Sequence, residues 1–254
     1  SRCPEFKTDE GLDKAYQNLV DEGVDALVVI GGDGTFRGAS ALHKRHPGIR
    51  IVGLPGTIDN DLYGTDFTIG YDTAVNTVVD AVDKIRDTAG SHGTLFFVEV
   101  MGRDAGFIAL NSGIATGSED ILIPETQTDI DHLIAKLEYD QRKQKTWGII
   151  IVAEGDELGG ATQVARLVKE RLPHYEARVT ILGHIQRGGT PSCADRVLAS
   201  RLGYNSVKAL LEGQDCVMLG QVNNKVVYVP FEKATKHHQQ IDKDLLEVAR
   251  VLAL

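Results

Sequence analysis

Short apolar runs recur along the chain, at residues 26–30, 51–54, 95–100, 121–123, 148–153 and 179–182. They are rich in Val and Ile and lack a polar residue at every second position, which predicts strands buried on both faces. Segments of helical length and period separate them. In residues 71–88, Ala74, Val78, Val82 and Ile85 recur at three- and four-residue steps and form one apolar stripe. Alternating strand and helix predicts an α/β fold with a parallel sheet. Residues 221–240, with an Asn pair and the His237–His238 pair, read as the most loop-like stretch, and the two histidines as solvated surface rather than a metal site. No internal repeat or low-complexity linker interrupts the pattern.

Almost every apolar run ends in a glycine-rich or charged cluster. GGDGT follows Ile30, PGTIDND follows Leu54, MGRDAG follows Val100, PE follows Ile123, EGD follows Ala153 and GHIQRGG follows Leu182. In parallel α/β sheets ligands bind beyond the carboxyl ends of the strands. Helix capping needs one polar residue per loop, whereas these loops hold several Asp, Arg and His residues. They therefore predict a large site for a polar, multiply charged ligand.

Composition narrows the setting. With 254 residues, 42% hydrophobic and 25% charged, the chain has the profile of a soluble globular protein. No apolar stretch approaches the ~18 residues of a membrane span, and the opening SRCPEFKTDEG has no signal-peptide region, so a cytoplasmic location is expected. A net charge of -9 argues against a nucleic-acid or membrane surface, so an anionic substrate must be held by a local cationic cluster. Cys3, Cys193 and Cys216 form no CxxC pair and are expected to be free thiols rather than disulfides or zinc ligands. A start at Ser1, close to a helix-like segment, is expected to be truncated or processed.

The clusters suggest phosphate chemistry. In GGDGT the glycines allow close backbone approach, and free N–H groups of a helix starting near Thr35 favour phosphate oxygens. Asp33 within such an anion site makes sense if it holds Mg²⁺ bridging phosphates. NAD kinases and lipid kinases carry similar runs, while the P-loop and protein-kinase signatures are missing from the sequence. In PGTIDND, Asp59 and Asp61 can divide two duties, taking the proton of an acceptor hydroxyl and keeping a metal in place, with Thr57 donating to the moving phosphoryl group. Arg103, His184 and Arg187 at strand ends, with Arg178 at a strand start, suit a sugar-phosphate clamp because guanidinium binds phosphate bidentately. Glu154 is placed to accept bonds from sugar hydroxyls.

PGTIDND, MGR and GHIQRGG, in this order, resemble the bacterial type of ATP-dependent 6-phosphofructokinase, and the likeness runs from Ser1 to Leu254. The resemblance implies two Rossmann-like three-layer lobes with mainly parallel sheets and the first strand region missing. The lobes would be an ATP lobe of roughly 1–70 plus 186–235 and a sugar-phosphate lobe of 71–185 plus 236–254. It implies transfer of the γ-phosphoryl of ATP to the 1-hydroxyl of fructose 6-phosphate, a glycolytic reaction. Asp59 would be the proton acceptor, Thr57 and Arg103 would stabilise the moving phosphoryl, and Asp33 and Asp61 would be the Mg²⁺-associated carboxylates. Arg2, Cys3, Gly32, Asp33, Gly34 and Thr35 match ATP-side positions. Thr57, Ile58, Asp59, Met101, Gly102, Arg103, Glu154, Arg178, His184 and Arg187 match positions around fructose 6-phosphate.

In the family Arg178 reaches a neighbouring subunit, which implies a homotetramer. Arg86, Glu119, Lys143 and Lys145 match an effector site for nucleotide diphosphate or phosphoenolpyruvate. Pyrophosphate-dependent relatives carry Asp and Lys where this chain has Gly34 and Gly56, so ATP is the expected donor. The alternatives are a pyrophosphate-dependent phosphofructokinase, a catalytically impaired or regulatory subunit of the same fold, and an NAD or lipid kinase. Two departures stand out. The family's opening strand and GGDxPG loop lie outside these 254 residues, and Thr94 occupies a place where the family usually has arginine.

Overall fold

The computed structural model describes residues 3–234 and 240–252, so Arg2 and the His237–His238 pair lie outside the described residues. The chain divides into two compact units, one of residues 1–70 with 193–239 and one of 71–192 with 240–254.

The first unit opens with a 3-10 turn at Pro4–Lys7, followed by α1 (Asp9–Asp21), β1 (Ala26–Gly31), α2 (Asp33–Arg45) and β2 (Arg50–Pro55). Thr8 starts α1 by accepting the Gly11 amide at 3.1 Å on its hydroxyl, the usual N-cap bond. The second unit then runs through α3 (Tyr71–His92), β3 (Thr94–Val100), α4 (Phe107–Thr116), β4 (Asp120–Leu122), α5 (Ile130–Arg142), β5 (Gly148–Ala153), α6 (Ala161–Arg171) and β6 (Glu176–Ile181), ending in a 3-10 turn at Gly183–Arg187. The chain returns to the first unit with α7 (Cys193–Leu211), β7 (Val217–Val222) and β8 (Lys225–Pro230), and α8 (Lys243–Leu252) belongs to the second.

The first unit's sheet has the order β1-β2-β7-β8, with β1, β2 and β7 parallel and β8 antiparallel. Phe36, Leu42, Ile51 and Met218 anchor one core beside it, and Leu54, Leu198, Leu202 and Leu219 another. The second sheet, β4-β5-β3-β6, is wholly parallel. Its central strands match the expectation of burial on both faces, since every residue of β5 is buried and every residue of β3 except Glu99. On α3, Ala74, Val78 and Val82 are fully buried, as the stripe predicts, and Ala89 extends it.

Two expectations need correction. β1 and β6 are edge strands whose apolar residues are partly in water, with Ile30 at 64% and Ile181 at 58% exposure, so continuous apolarity there does not mean burial on both faces. The supposed loop of 221–240 contains β8, which pairs with β7 as a hairpin. Asn223 and Asn224, at φ 48° and 60°, form its two-residue turn. Asparagine tolerates the left-handed region that such turns require. The Asn pair is thus a hairpin signal rather than a loop signal.

Parallel pairing has one consequence for function. Within each unit, the polar clusters after the parallel strands share the carboxyl edge of their sheet.

Candidate functional site

In the first unit, α2 begins at Asp33, two residues earlier than expected, with Gly32 as its N-cap. The amides of Thr35 and Phe36 donate to Gly32 O at 2.9 and 3.2 Å, while those of Asp33 and Gly34, at the helix start, have no partner within the helix. Glycine is required at 31, where an added Cβ would lie 2.1 Å from Thr35 Oγ1. At Gly34 the same addition would meet nothing within 4 Å, so this position borders open space.

The TIDND loop leaves β2 beside this turn. Gly56 N donates to Gly31 O at 3.0 Å, and a Cβ on Gly32 would sit 3.5 Å from Thr57 Cβ. The two clusters that the sequence singles out for phosphate and metal therefore abut. Asp59 and Asp61 are each 8% exposed, while Thr57 and Ile58 are half-buried. The Asp59 amide donates to Thr57 Oγ1 at 3.3 Å.

Two residues that the sequence reading did not single out hold this loop. Asn60, at φ 54° and 4% exposure, accepts the Thr68 amide at 2.8 Å and donates to Asp66 O at 3.2 Å. Thr68 Oγ1 in turn donates to Thr57 O at 2.6 Å. The signal was present in the motif, since Asn between two Asp residues is the residue type that best accepts positive φ. The loop's exit is pinned by α7, where buried Asp195 accepts the Gly70 amide at 2.8 Å.

In the second unit, Met101, Gly102 and Arg103 leave β3 with Gly102 at φ 147° and Arg103 at φ 54°. Other strand ends capture their amides. Met101 N donates to Gln186 Oε1 at 2.9 Å, and Gly102 N and Arg103 N donate to Glu154 Oε1 at 3.2 and 2.8 Å. The MGR, EGD and GHIQRGG clusters are thus brought together. Glu154 has a role that the sequence did not suggest, because one of its carboxylate oxygens holds the MGR loop. His184 and Arg187 are exposed on the 3-10 turn.

Arg178 does not join them. It lies within β6 in register with Phe96, its side chain 63% exposed and paired with Glu176 at 2.5 Å. Arg103, His184 and Arg187 thus share the carboxyl edge of this sheet, and Arg178 does not. The PE cluster proves to be a helix cap, as Glu125 Oε1 accepts the amide of Gly106, the N-cap of α4, at 2.8 Å, and burial pushes its carboxyl pKa upward.

Residues 1–210 match the phosphofructokinase family. The ATP-dependent 6-phosphofructokinase 2 of Bacteroides thetaiotaomicron is 54% identical over 254 residues, all of this chain and 78% of that protein. The chain belongs to the phosphofructokinase family. ATP-dependent 6-phosphofructokinase 1 of Thermus thermophilus is 53% identical over the same spans. The structure of phosphofructokinase from Saccharomyces cerevisiae superposes with a TM-score of 0.84 at 35% identity, over 92% of this chain and 35% of that one. The two-lobed, mainly parallel α/β architecture is that of phosphofructokinase structures.

The four positions that the resemblance suggests for an effector divide in two. Arg86 donates to Thr116 O, and Lys145 pairs with the 6%-exposed Glu119 at 2.9 Å, so these three residues gather at the turn between α4 and β4. A carboxylate oxygen of Glu119 also accepts the Ile149 amide. Lys143 instead places its ammonium 4.3 Å from the centre of the Tyr139 ring. Cys3 is exposed at the cap of the first 3-10 turn, whose Phe6 packs toward Gly38 of α2. Thr94 is 1% exposed at the start of β3, at the opposite end of the strand from Met101, so within this chain it does not reach the MGR loop.

The donor chemistry fits Mg²⁺ in the first unit. Asp33 and Asp61 offer hard carboxylate oxygens from two abutting loops that contain no His or Cys, the donor set this ion prefers. Asp33 meets Arg37 at 3.0 Å, but the Arg37 side chain is 66% exposed and such a pair yields readily. Elsewhere in this unit His43, Asp215 and Cys216 bring three ligand atoms within 4.8 Å of one another. Asp215 there accepts the amides of Ile51 and Cys216, both at 2.8 Å, and burial with the adjacent carboxylate pushes the Cys216 thiol up to about 11.

Proposed function

We propose that the chain transfers the γ-phosphoryl group of ATP to the 1-hydroxyl of fructose 6-phosphate, giving fructose 1,6-bisphosphate and ADP, the reaction named for its relatives. The observation that carries this reading is the TIDND loop locked against the GGDGT turn at the ends of two adjacent parallel strands. Phosphoryl transfer asks the protein for position and electrostatics more than for covalent chemistry. A loop braced by Asn60 and Thr68 supplies the position.

In this reading Asp59 takes the proton of the acceptor hydroxyl as the new P–O bond forms. Thr57 and Arg103 donate hydrogen bonds to the phosphoryl oxygens as charge moves toward the ADP leaving group. Asp33 and Asp61 would hold Mg²⁺, which would neutralise phosphate charge there. Gly32, Gly34 and Thr35, with Arg2 and Cys3, form the ATP side, where free amides at the start of α2 suit phosphate oxygens. Met101, Gly102, Glu154, His184 and Arg187 form the sugar-phosphate side, with Ile58 beside the base. Because the Met101, Gly102 and Arg103 amides are already bonded, the side chains of Met101 and Arg103 carry the loop's contacts with the sugar phosphate, and Gly102 lets the backbone come close.

Arg178, exposed on the edge strand β6, suits a role in the site of a neighbouring subunit of a homotetramer. Arg86, Glu119 and Lys145, with Lys143, suit an effector site for nucleotide diphosphate or phosphoenolpyruvate. The open space at Gly34 leaves room for a nucleotide's α-phosphate and supports ATP over pyrophosphate. The net charge of -9 speaks against nucleic acid, and no helix among the described residues is long and apolar enough to cross a membrane. We place the reaction in the cytoplasm.

The test is an assay with fructose 6-phosphate against NAD as acceptor and ATP against pyrophosphate as donor. Turnover with fructose 6-phosphate and ATP is expected. Phosphorylation of NAD, or a preference for pyrophosphate, would overturn the reading.

A further inference from the structure

Gln186 lies between His184 and Arg187 on the 3-10 turn that closes β6, yet it points the other way. Its neighbours are exposed, whereas Gln186 is 1% exposed. Its Oε1 accepts the Met101 amide at 2.9 Å, which also fixes the orientation of the carboxamide, because an N–H can only face the oxygen. Its Nε2 is buried and has no partner among the described residues. Among the described residues, the contact that its oxygen makes is therefore the hydrogen bond through which the Gln186 side chain acts.

That contact joins two parts of the proposed sugar-phosphate side. The MGR loop bears Arg103 in the left-handed region at φ 54°, a conformation uncommon outside glycine. Glu154 accepts the second and third amides of the loop, and Gln186 accepts the first. Glu154 is carried by the end of β5, so it sets the loop relative to β5 alone. Gln186 sits on the same short turn as His184 and Arg187, so its bond sets the loop relative to those two cations.

We propose that Gln186 is a positioning residue: its carboxamide registers the Met101–Arg103 loop against the His184–Arg187 turn, so that cations from two strands meet one sugar phosphate. This rests on the kinase reading above for its consequence in catalysis, though not for its structural half. Gln186 touches neither substrate in this account. It acts through Met101 and the loop that follows.

Gln186→Met keeps the volume and removes the unpaired donor, but it also leaves the Met101 amide without its acceptor, so the loss is expected at the loop and the melting temperature is measured beside it to show that the fold is kept. Gln186→Glu restores an oxygen for the Met101 amide, and burial favours its neutral, glutamine-like form. Amide hydrogen exchange and steady-state kinetics are measured on both variants and the parent protein. In the Met variant, exchange at residues 101–103 should accelerate at least about tenfold while the amides of β3 keep their protection. The kcat/KM for fructose 6-phosphate should fall about tenfold, the effect of one lost hydrogen bond, with KM for ATP within about twofold of the parent. The Glu variant should recover most of both.

Unchanged exchange at these amides in the Met variant overturns the proposal whatever the kinetics. Faster exchange throughout β3, with both substrates affected alike, also overturns it, since Gln186 would then be a general packing residue. If the parent protein does not phosphorylate fructose 6-phosphate, the kinase reading fails, and the exchange at 101–103 still decides whether Gln186 sets the loop.

Discussion

At Asp59 a carboxylate of 8% exposure sits in a loop whose backbone is held by bonds from Asn60 and Thr68 rather than by its own side chain alone. Asp59→Asn should therefore preserve the fold and substrate binding while lowering kcat by about 10²–10⁴, the usual contribution of a general base. Parallel measurements of kcat, KM and the melting temperature check this, and near-normal turnover would remove Asp59 from the role. The two glycines assigned to donor choice separate on inspection of their surroundings. Gly34 faces open space, so Gly34→Asp is expected to fold normally and raise KM for ATP through an added carboxylate beside the α2 amides proposed to meet phosphate. Gly56 differs, as a Cβ there would lie 2.9 Å from Ile30 Cγ2 and 3.3 Å from the Gly31 amide. Gly56→Lys should lower the melting temperature in its own right, so Gly34→Asp is the cleaner test of the donor argument. Unchanged ATP kinetics in that variant would contradict it.

Among the elements, those formed by long apolar runs could be read from the sequence, because hydrophobic burial determines them. β3 and β5 fall within a residue of their expected limits, as do the carboxyl-end clusters that follow them. What escaped depends on backbone conformation or on a partner distant in sequence. β8, KVVYVP, is itself an apolar run, and it is passed over because the Asn223–Asn224 pair before it reads as loop unless its positive φ is recognised as a hairpin turn. The bonds from Gln186 to Met101 and from Glu154 to Gly102 and Arg103 span 50 or more residues, and no local pattern announces them. The turn from α4 to β4 gives a prediction at this scale. Glu119 there binds both Lys145 and the Ile149 amide while 6% exposed, so Glu119→Gln should lower unfolding free energy by about 1.5–3 kcal/mol, the range for a bond to a charged group. Urea unfolding measures that loss, and the response to nucleotide diphosphate or phosphoenolpyruvate should disappear while turnover at saturating substrate persists. A retained response would move the effector site elsewhere.

For the molecule as a whole, the partly buried Cys216 is one of several groups that tie folding to pH. Burial and the neighbouring Asp215 carboxylate raise the Cys216 thiol from 9.0 to about 11. Between those values the unfolded chain releases the thiol proton while the folded chain keeps it, so the unfolded state binds fewer protons and stability falls as pH rises. Below 9 the thiol is protonated in both states and its contribution is constant. Urea unfolding from pH 8 to 10, below the range in which the Tyr71 and Tyr175 hydroxyls add a decline of their own, should show this effect, and Cys216→Ser should make the slope shallower; equal slopes would contradict the assignment. Transfer of label from γ-³²P-ATP in the presence of Mg²⁺ reads the chemistry of this fold without an intermediary. Fructose 6-phosphate is expected to become labelled at its 1-oxygen, and Asp59→Asn to abolish nearly all of this transfer. A protein that labels no sugar phosphate, or whose Asp59→Asn variant labels it at the parent rate, would contradict the account.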